Sequence, residues 1–256
     1  MLNAFVTLAT FLALLSGQAT TQGRQTYTYD LYQTRAVRFQ NPDMKACVSA
    51  ATMTTLNTVY FTAATTSAVK ANRTAMTWRP TIRPRDQRLI ERWARAHMTM
   101  PIEKDGSDVH GLRNAINYYG WGSERTGAYA DYAYATFNSA MKAVVWEIAS
   151  SNEPVVILTQ NGGHLMVITG YSVTGVDPRT GSTDFTVNGL YATDPLRERH
   201  VADTYLDYLN LHSGPKHVRF APYLQYDSIL KDPIDGRIGR NEWVHHYVVV
   251  APVLRG

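Results

Sequence analysis

Three residue types in this chain could together activate a carbonyl for acyl transfer. They are the only cysteine, Cys47, a histidine that opens an apolar run, His164, and an aspartate that closes the next run, Asp194. A thiol becomes a competent nucleophile when an imidazole takes its proton. A carboxylate on the far ring nitrogen then fixes the tautomer and steadies the imidazolium. A lone thiol cannot close an internal disulfide. It is inert in a core, paired between molecules, or kept for its reactivity.

The elements around these residues decide whether they can meet. Residues 40–60 read QNPDMKACVSAATMTTLNTVY. Asn41-Pro42-Asp43 is a helix-start signal with Asp43 as N-cap, and Ala46, Ala50, Met53 and Val59 follow with partial helical spacing. Cys47 is expected in the first turns of a buried helix, where free N–H groups and the positive dipole end favour a thiolate. Further helices are predicted from about Pro84 to His97, with Leu89, Trp93 and Ala96 on one face, and within Lys104–Gly122. The latter carries Leu112, Ala115, Ile116 and Tyr119 on one stripe, capped by Ser107 or Asp108 and ended by Gly120. A fourth, Asn138–Ser151, aligns Met141, Val144, Val145 and Ile148 and stops before Pro154.

Strands follow. PVVILT (154–159), HLMVITGYSV (164–173), DFTVNGLYAT (184–193) and VHHYVVVAPV (244–253) are β-branched runs separated by turn residues. The turn between the second and third centres near Arg179, so facing residues should have numbers summing to about 358, which sets His164 opposite Asp194. A one-residue slip would turn the two side chains to opposite faces. Helices first and antiparallel strands afterwards make an α+β plan with a cleft between the halves.

Composition narrows the function classes. The chain has 256 residues, 45% of them hydrophobic and 18% charged, with 16 Tyr, and is too apolar for disorder. A formal charge of +4, with no long Lys/Arg run, gives no nucleic-acid footprint. Residues 1–19 hold an apolar block, Ala4–Leu15, followed by Ser16-Gly17-Gln18-Ala19. The block is too short to span a membrane and fits a secretory signal cleaved after Ala19, leaving 20–256 as one domain. No metal motif, P-loop or dinucleotide fingerprint occurs. His110 could line a cleft, and Asp105 with Asp108 could hold calcium, although a capped helix start explains both acids. Asp177-Pro178 competes with Asp194 but falls in the turn. His245-His246 would point to opposite faces of a strand.

The segments QNPDMKACVSAATMTTLN, PVVILTQNGGHLMVITGY and YATDPL, in that order, resemble the Cys, His and Asp blocks of papain-like cysteine peptidases. They look closest to the branch related to peptidases that process bacteriocin leaders, here as a stand-alone secreted form. The resemblance covers about Arg38 to Leu196. It implies a papain-like fold, Cys47 as nucleophile, His164 as general base and Asp194 as the orienting acid. It also implies an oxyanion-hole glutamine, whose usual place, six residues before the cysteine, is Asn41 here, with Gln40 one further back. The implied function is peptide-bond hydrolysis on a peptide or protein substrate by a monomer, with no cofactor, metal, nucleic acid or membrane. The alternatives are amide cross-linking or deamidation on the same triad, and a non-catalytic secreted binding protein.

Overall fold

The computed structural model describes residues 24–40, 47–63, 67–81, 83–122, 128–196 and 202–253. The leader at 1–19 and Asn41 to Ala46, with the predicted cap Asp43, lie outside the described residues. In chain order the elements are β1 (Thr26–Asp30), α1 (Cys47–Phe61), α2 (Ser67–Thr74), α3 (Pro84–Ala96), α4 (Val109–Trp121), β2 (Tyr129–Tyr134) and α5 (Phe137–Ser151). Then come β3 (Val155–Thr159), β4 (His164–Gly175), β5 (Phe185–Thr193), β6 (Thr204–Asp207), α6 (Tyr208–Ser213), α7 (Gly239–Trp243) and β7 (Tyr247–Pro252). The class is α+β.

The strands form one sheet in the order β2-β7-β3-β4-β5-β6, with β1 also paired to β4, and every pairing is antiparallel. The sheet is apolar on both faces. Ile157, Met166 and Val249 belong to one core, beneath α5, and Val156, Val167 and Val250 to the other, beneath α1, α3 and α4. Burial of each such side chain contributes about 1.5–3 kcal/mol. This explains why β3 reads as a continuous apolar run instead of an alternating one.

Helix α1 is buried from Val48 through Val59. It is rich in small and hydroxylated residues, and Thr58 Oγ1 donates back to the Thr54 carbonyl at 2.8 Å. Such a helix offers no polar stripe, so its periodicity was only partial in the sequence. Asp108 caps α4, accepting from the Gly111 N–H at 3.1 Å. The helix ends at Gly122, which adopts φ 70°, not at Gly120. Gly120 stays helical, and a side chain there would press on Leu56 of α1. On α3 the buried side is Gln87, Ile90, Glu91 and Ala94, while Leu89 and Ala96 face solvent.

The observed β4–β5 register differs from the predicted one. Val167 pairs with Thr193 and Gly175 with Phe185, and irregularities fall between Ile168 and Gly170 and between Ser172 and Val173. The pairs at both ends of the ladder therefore sum to 360 rather than 358, and the three between the irregularities sum to 361. A two-residue shift preserves which face each side chain occupies, so the consequence for His164 and Asp194 is a diagonal instead of a directly opposed pair.

Candidate active site

Cys47 is the first described residue of α1 and keeps part of its surface accessible. The chain approaching it is pinned on both sides. Gln40 N–H donates to the Pro195 carbonyl at 2.7 Å, and Gln87 Nε2 of α3 donates to the Phe39 carbonyl at 3.1 Å. The first of these bonds ties the segment before the cysteine to the Asp194-Pro195 block. Three distant stretches are thereby held together.

His164 begins β4, opposite Thr159 of β3. Its Nε2 lies 2.8 Å from Asp194 Oδ1, and the same oxygen accepts the Leu196 N–H at 2.8 Å. Both side chains are buried. With Nε2 committed to the carboxylate, Nδ1 is the ring nitrogen left to exchange a proton with another group. Asp177, the competing Asp-Pro acid, instead caps its own turn and pairs with Arg179 at 2.8 Å, at the far end of β4.

Cys47, His164 and Gln40 line one cleft of about 460 Å³. Asn41 lies outside the described residues. Ser107 and Gly163 form part of the walls, and Tyr223 and Gln225 contribute from a later segment. The turn into His164 is unusual. Gln160, Asn161 and Gly162 have φ of 54°, 57° and 89°, three successive left-handed residues. It is held by Asn161, whose carbonyl accepts the Leu224 N–H at 2.9 Å and whose Nδ2 donates to the Pro222 carbonyl at 3.0 Å. Strain of this kind persists only where surrounding contacts over-determine it.

Gly162 meets two constraints at once, because a Cβ there would also enter the Tyr223 ring. Gly162→Ala is expected to lower stability by about 2–4 kcal/mol, as read by urea denaturation. A variant within about 0.5 kcal/mol of the parent would show that this turn is not rigid.

Electrostatics departs from the helix-dipole expectation. The Cys47 thiol is pushed up to about 12, first by burial and then by the charge of Glu91. The backbone N–H groups of Val48 and Cys47 favour the thiolate, as expected at a helix start, and Asp194 opposes it. Desolvation outweighs the dipole here. Burial therefore raises the proton affinity of the sulfur.

His110 does not line the cleft. It is fully buried, with Nδ1 at 3.1 Å from Asp232 Oδ2, Nε2 at 3.5 Å from Asp131 Oδ2 and the Trp243 ring against it. His110 lies close enough to Asp232 and Asp235, and to Asp131 and Glu242, for either group to surround a cation. Arg113 and Arg237 already neutralise these acids: Arg113 reaches Asp131 at 2.6 Å and Asp232 at 2.7 Å, and Arg237 reaches Asp131 at 2.7 Å. Asp108 bonds Thr99 and Ser228 besides capping α4, so its carboxylate is structural. His245 and His246 precede β7 and do not sit on it. Tyr223 was not legible as part of the site, because nothing in its local sequence distinguishes it from a core residue.

Among the described residues no helix is long and apolar enough to cross a membrane. Comparison of the chain with protein-family models, with curated proteins and with solved structures finds no match.

Proposed function

We propose that the chain is a secreted, papain-like thiol hydrolase that cleaves peptide bonds through Cys47, His164 and Asp194. The observation that carries this reading is the buried His164–Asp194 pair at 2.8 Å, opening on the cleft that Cys47 also lines. A nucleophile heading a buried helix, with base and acid on neighbouring strands of an antiparallel sheet, supports the papain-like architecture. Cys47 Sγ attacks the substrate carbonyl as His164 Nδ1 takes the thiol proton. The Gln40 amide and the Cys47 N–H hold the oxyanion. His164 returns the proton to the leaving amine, and the carbon–nitrogen bond breaks. The same imidazole then deprotonates water, which attacks the thioester and regenerates the thiol. Burial raises the proton affinity of the thiol, which favours His164 acting as a base during attack over half of a standing ion pair.

One observation favours a second reading, a secreted binding protein that keeps the cleft without chemistry: the raised proton affinity of the Cys47 thiol. A single cysteine makes the test clean. At pH 7, iodoacetamide is expected to alkylate the parent at least about tenfold faster than His164→Ala, in line with general-base effects of 10²–10⁴. A peptide library should also be cleaved by the parent and not by Cys47→Ala. Equal alkylation rates with no cleavage would favour the binding protein. Incorporation of a primary amine in place of cleavage would redirect the reading to amide cross-linking.

A further inference from the structure

The cleft is lined by acids although the chain as a whole carries a formal charge of +4. Among the described residues its walls hold three carboxylates, Asp105, Asp108 and Asp227, against a single ammonium, Lys104. Asp227 holds that ammonium at 3.1 Å, and the pair stays accessible, with side chains 32% and 52% exposed. Lys104 is thus already engaged by one acid. Asp108 differs from Asp227 in being buried, at 6% exposed. It lines the cleft and also a smaller adjoining cavity that Cys47 and His164 share. Every donor on its carboxylate is neutral. Oδ2 accepts the Thr99 N–H at 2.8 Å, the Thr99 hydroxyl at 2.6 Å and the Ser228 hydroxyl at 3.0 Å. Oδ1 accepts the Gly111 N–H at 3.1 Å, which leaves it an acceptor site. These bonds fix the carboxylate in place and supply no counter-charge.

A buried carboxylate without a paired cation is costly, and a cation that enters the cleft offsets part of that cost. Low-dielectric walls also focus the field of their charges onto whatever lies between them. Apolar surface for a methylene stem is at hand, because Met100 and Tyr223 line the same cleft. We propose that the cleft selects its substrate by charge, taking peptides that carry a lysine or arginine side chain beside the bond to be cut. Asp227 meets the cation where the wall is accessible, and Asp108 supplies fixed negative charge from within. Lys104 is the internal competitor: a substrate cation displaces it from Asp227, and an acidic side chain finds the other carboxylates. This deepens the hydrolase reading by naming its substrate class, and it rests on that reading of the cleft.

The experiment compares kcat/KM for peptides of one sequence in which a residue flanking the cut is lysine, norleucine or glutamate. Norleucine keeps the stem and lacks the ammonium. The parent is expected to prefer lysine to norleucine about tenfold and norleucine to glutamate by a similar factor, and about 1 M salt should shrink both ratios. Asp227→Asn should cut the lysine preference to about threefold, and Asp227→Lys should turn it toward glutamate. Lys104→Met removes the resident cation and should raise the lysine preference about threefold. Both side chains are partly exposed, and circular dichroism checks that the variants fold. Binding of the same labelled peptides to Cys47→Ala, read by fluorescence anisotropy, needs no turnover. Equal binding of the three, with cleavage rates within about twofold, overturns the charge selection and leaves the hydrolase standing. Lysine-selective binding with no cleavage by the parent sinks the hydrolase and keeps the charge selection for a binding protein. Equal binding without cleavage sinks both. A lysine preference that Asp227→Lys leaves unchanged overturns the assignment to this wall.

Discussion

Asp194→Ala is expected to lower kcat for peptide cleavage by about 10³-fold, whereas Asp194→Asn lowers it by about 10⁴-fold. The split follows from geometry. One oxygen, Oδ1, accepts both the His164 Nε2 proton at 2.8 Å and the Leu196 N–H at 2.8 Å. An asparagine keeps the shape, but its amide nitrogen can donate to His164 Nε2 and hold the imidazole in the wrong tautomer, besides losing the stabilising charge. Alanine removes everything. It strands the Leu196 N–H, leaves the His164 ring free to turn within a buried site, and removes the tie that holds the end of β5 against the start of β4. The measurement is steady-state kinetics of both variants beside circular dichroism, so that lost activity is not confused with lost folding. An Asp194→Ala enzyme within about threefold of the parent would mean that His164 takes no orientation from Asp194, and the triad would have to be abandoned.

The largest effect on stability is expected at Asp131. Its carboxylate accepts from Arg113 at 2.6 Å, from Arg237 at 2.7 Å and from the Trp243 indole at 2.9 Å, with His110 Nε2 at 3.5 Å. These partners come from α4, the 232–237 loop and α7. The network therefore clips the C-terminal segment, which includes the cleft residues Gln225 and Asp227, onto the helical layer. Removing one partner of a buried ionic group leaves charges uncompensated, and Asp131→Asn should cost about 3–5 kcal/mol in equilibrium denaturation.

The pH dependence has a definite sign. Burial alone would raise the Asp131 carboxyl, but the His110 hydrogen bond and the charges of Arg113 and Arg237 overcome it and hold it well below the usual carboxylate range. The folded state thus binds this proton more weakly than the unfolded chain does. The stabilisation is fully present above about pH 4, the ordinary aspartate value, and is lost as pH falls below it. Asp131→Asn should flatten that acid slope. A variant within about 1 kcal/mol of the parent, with an unchanged slope, would show that the network positions nothing.

Much of the local structure was legible because it is written in short-range chemistry. The stripes of α4 and α5 follow helical spacing, and Leu112, Ile116, Met141 and Ile148 are all fully buried. The β-branched runs of β3, β4 and β5 mark strands, and Asp108 caps its helix as its type and position suggest. Two of the missed elements, both strands, share a property. TYTYD of β1 and YADYAY of β2 leave several of their residues only partly buried and acquire their strand character from pairing with β4 and β7. Propensity at that length is weaker than the partner that completes the ladder. The stop of α4 moved from Gly120 to Gly122 because α1 needs a bare backbone to pack against, a demand that arises from another helix.

The candidate site divides along the same line. The amino-acid order alone determined which groups were available: one thiol at a helix start, one imidazole at the head of a strand, one acid at the end of the next. Those are statements about neighbours in sequence. The tertiary structure decided how far each group is from water and from other charges. It made His110 a core residue, brought Gln40 into the cleft through Pro195, and turned the pair of His164 and Asp194 diagonal by centring the turn one residue later than the sequence suggested. Proton affinity depends on dielectric and on fields from residues tens of positions away, so a helix start that favours a thiolate in isolation gives a thiol of raised proton affinity once the fold closes around it.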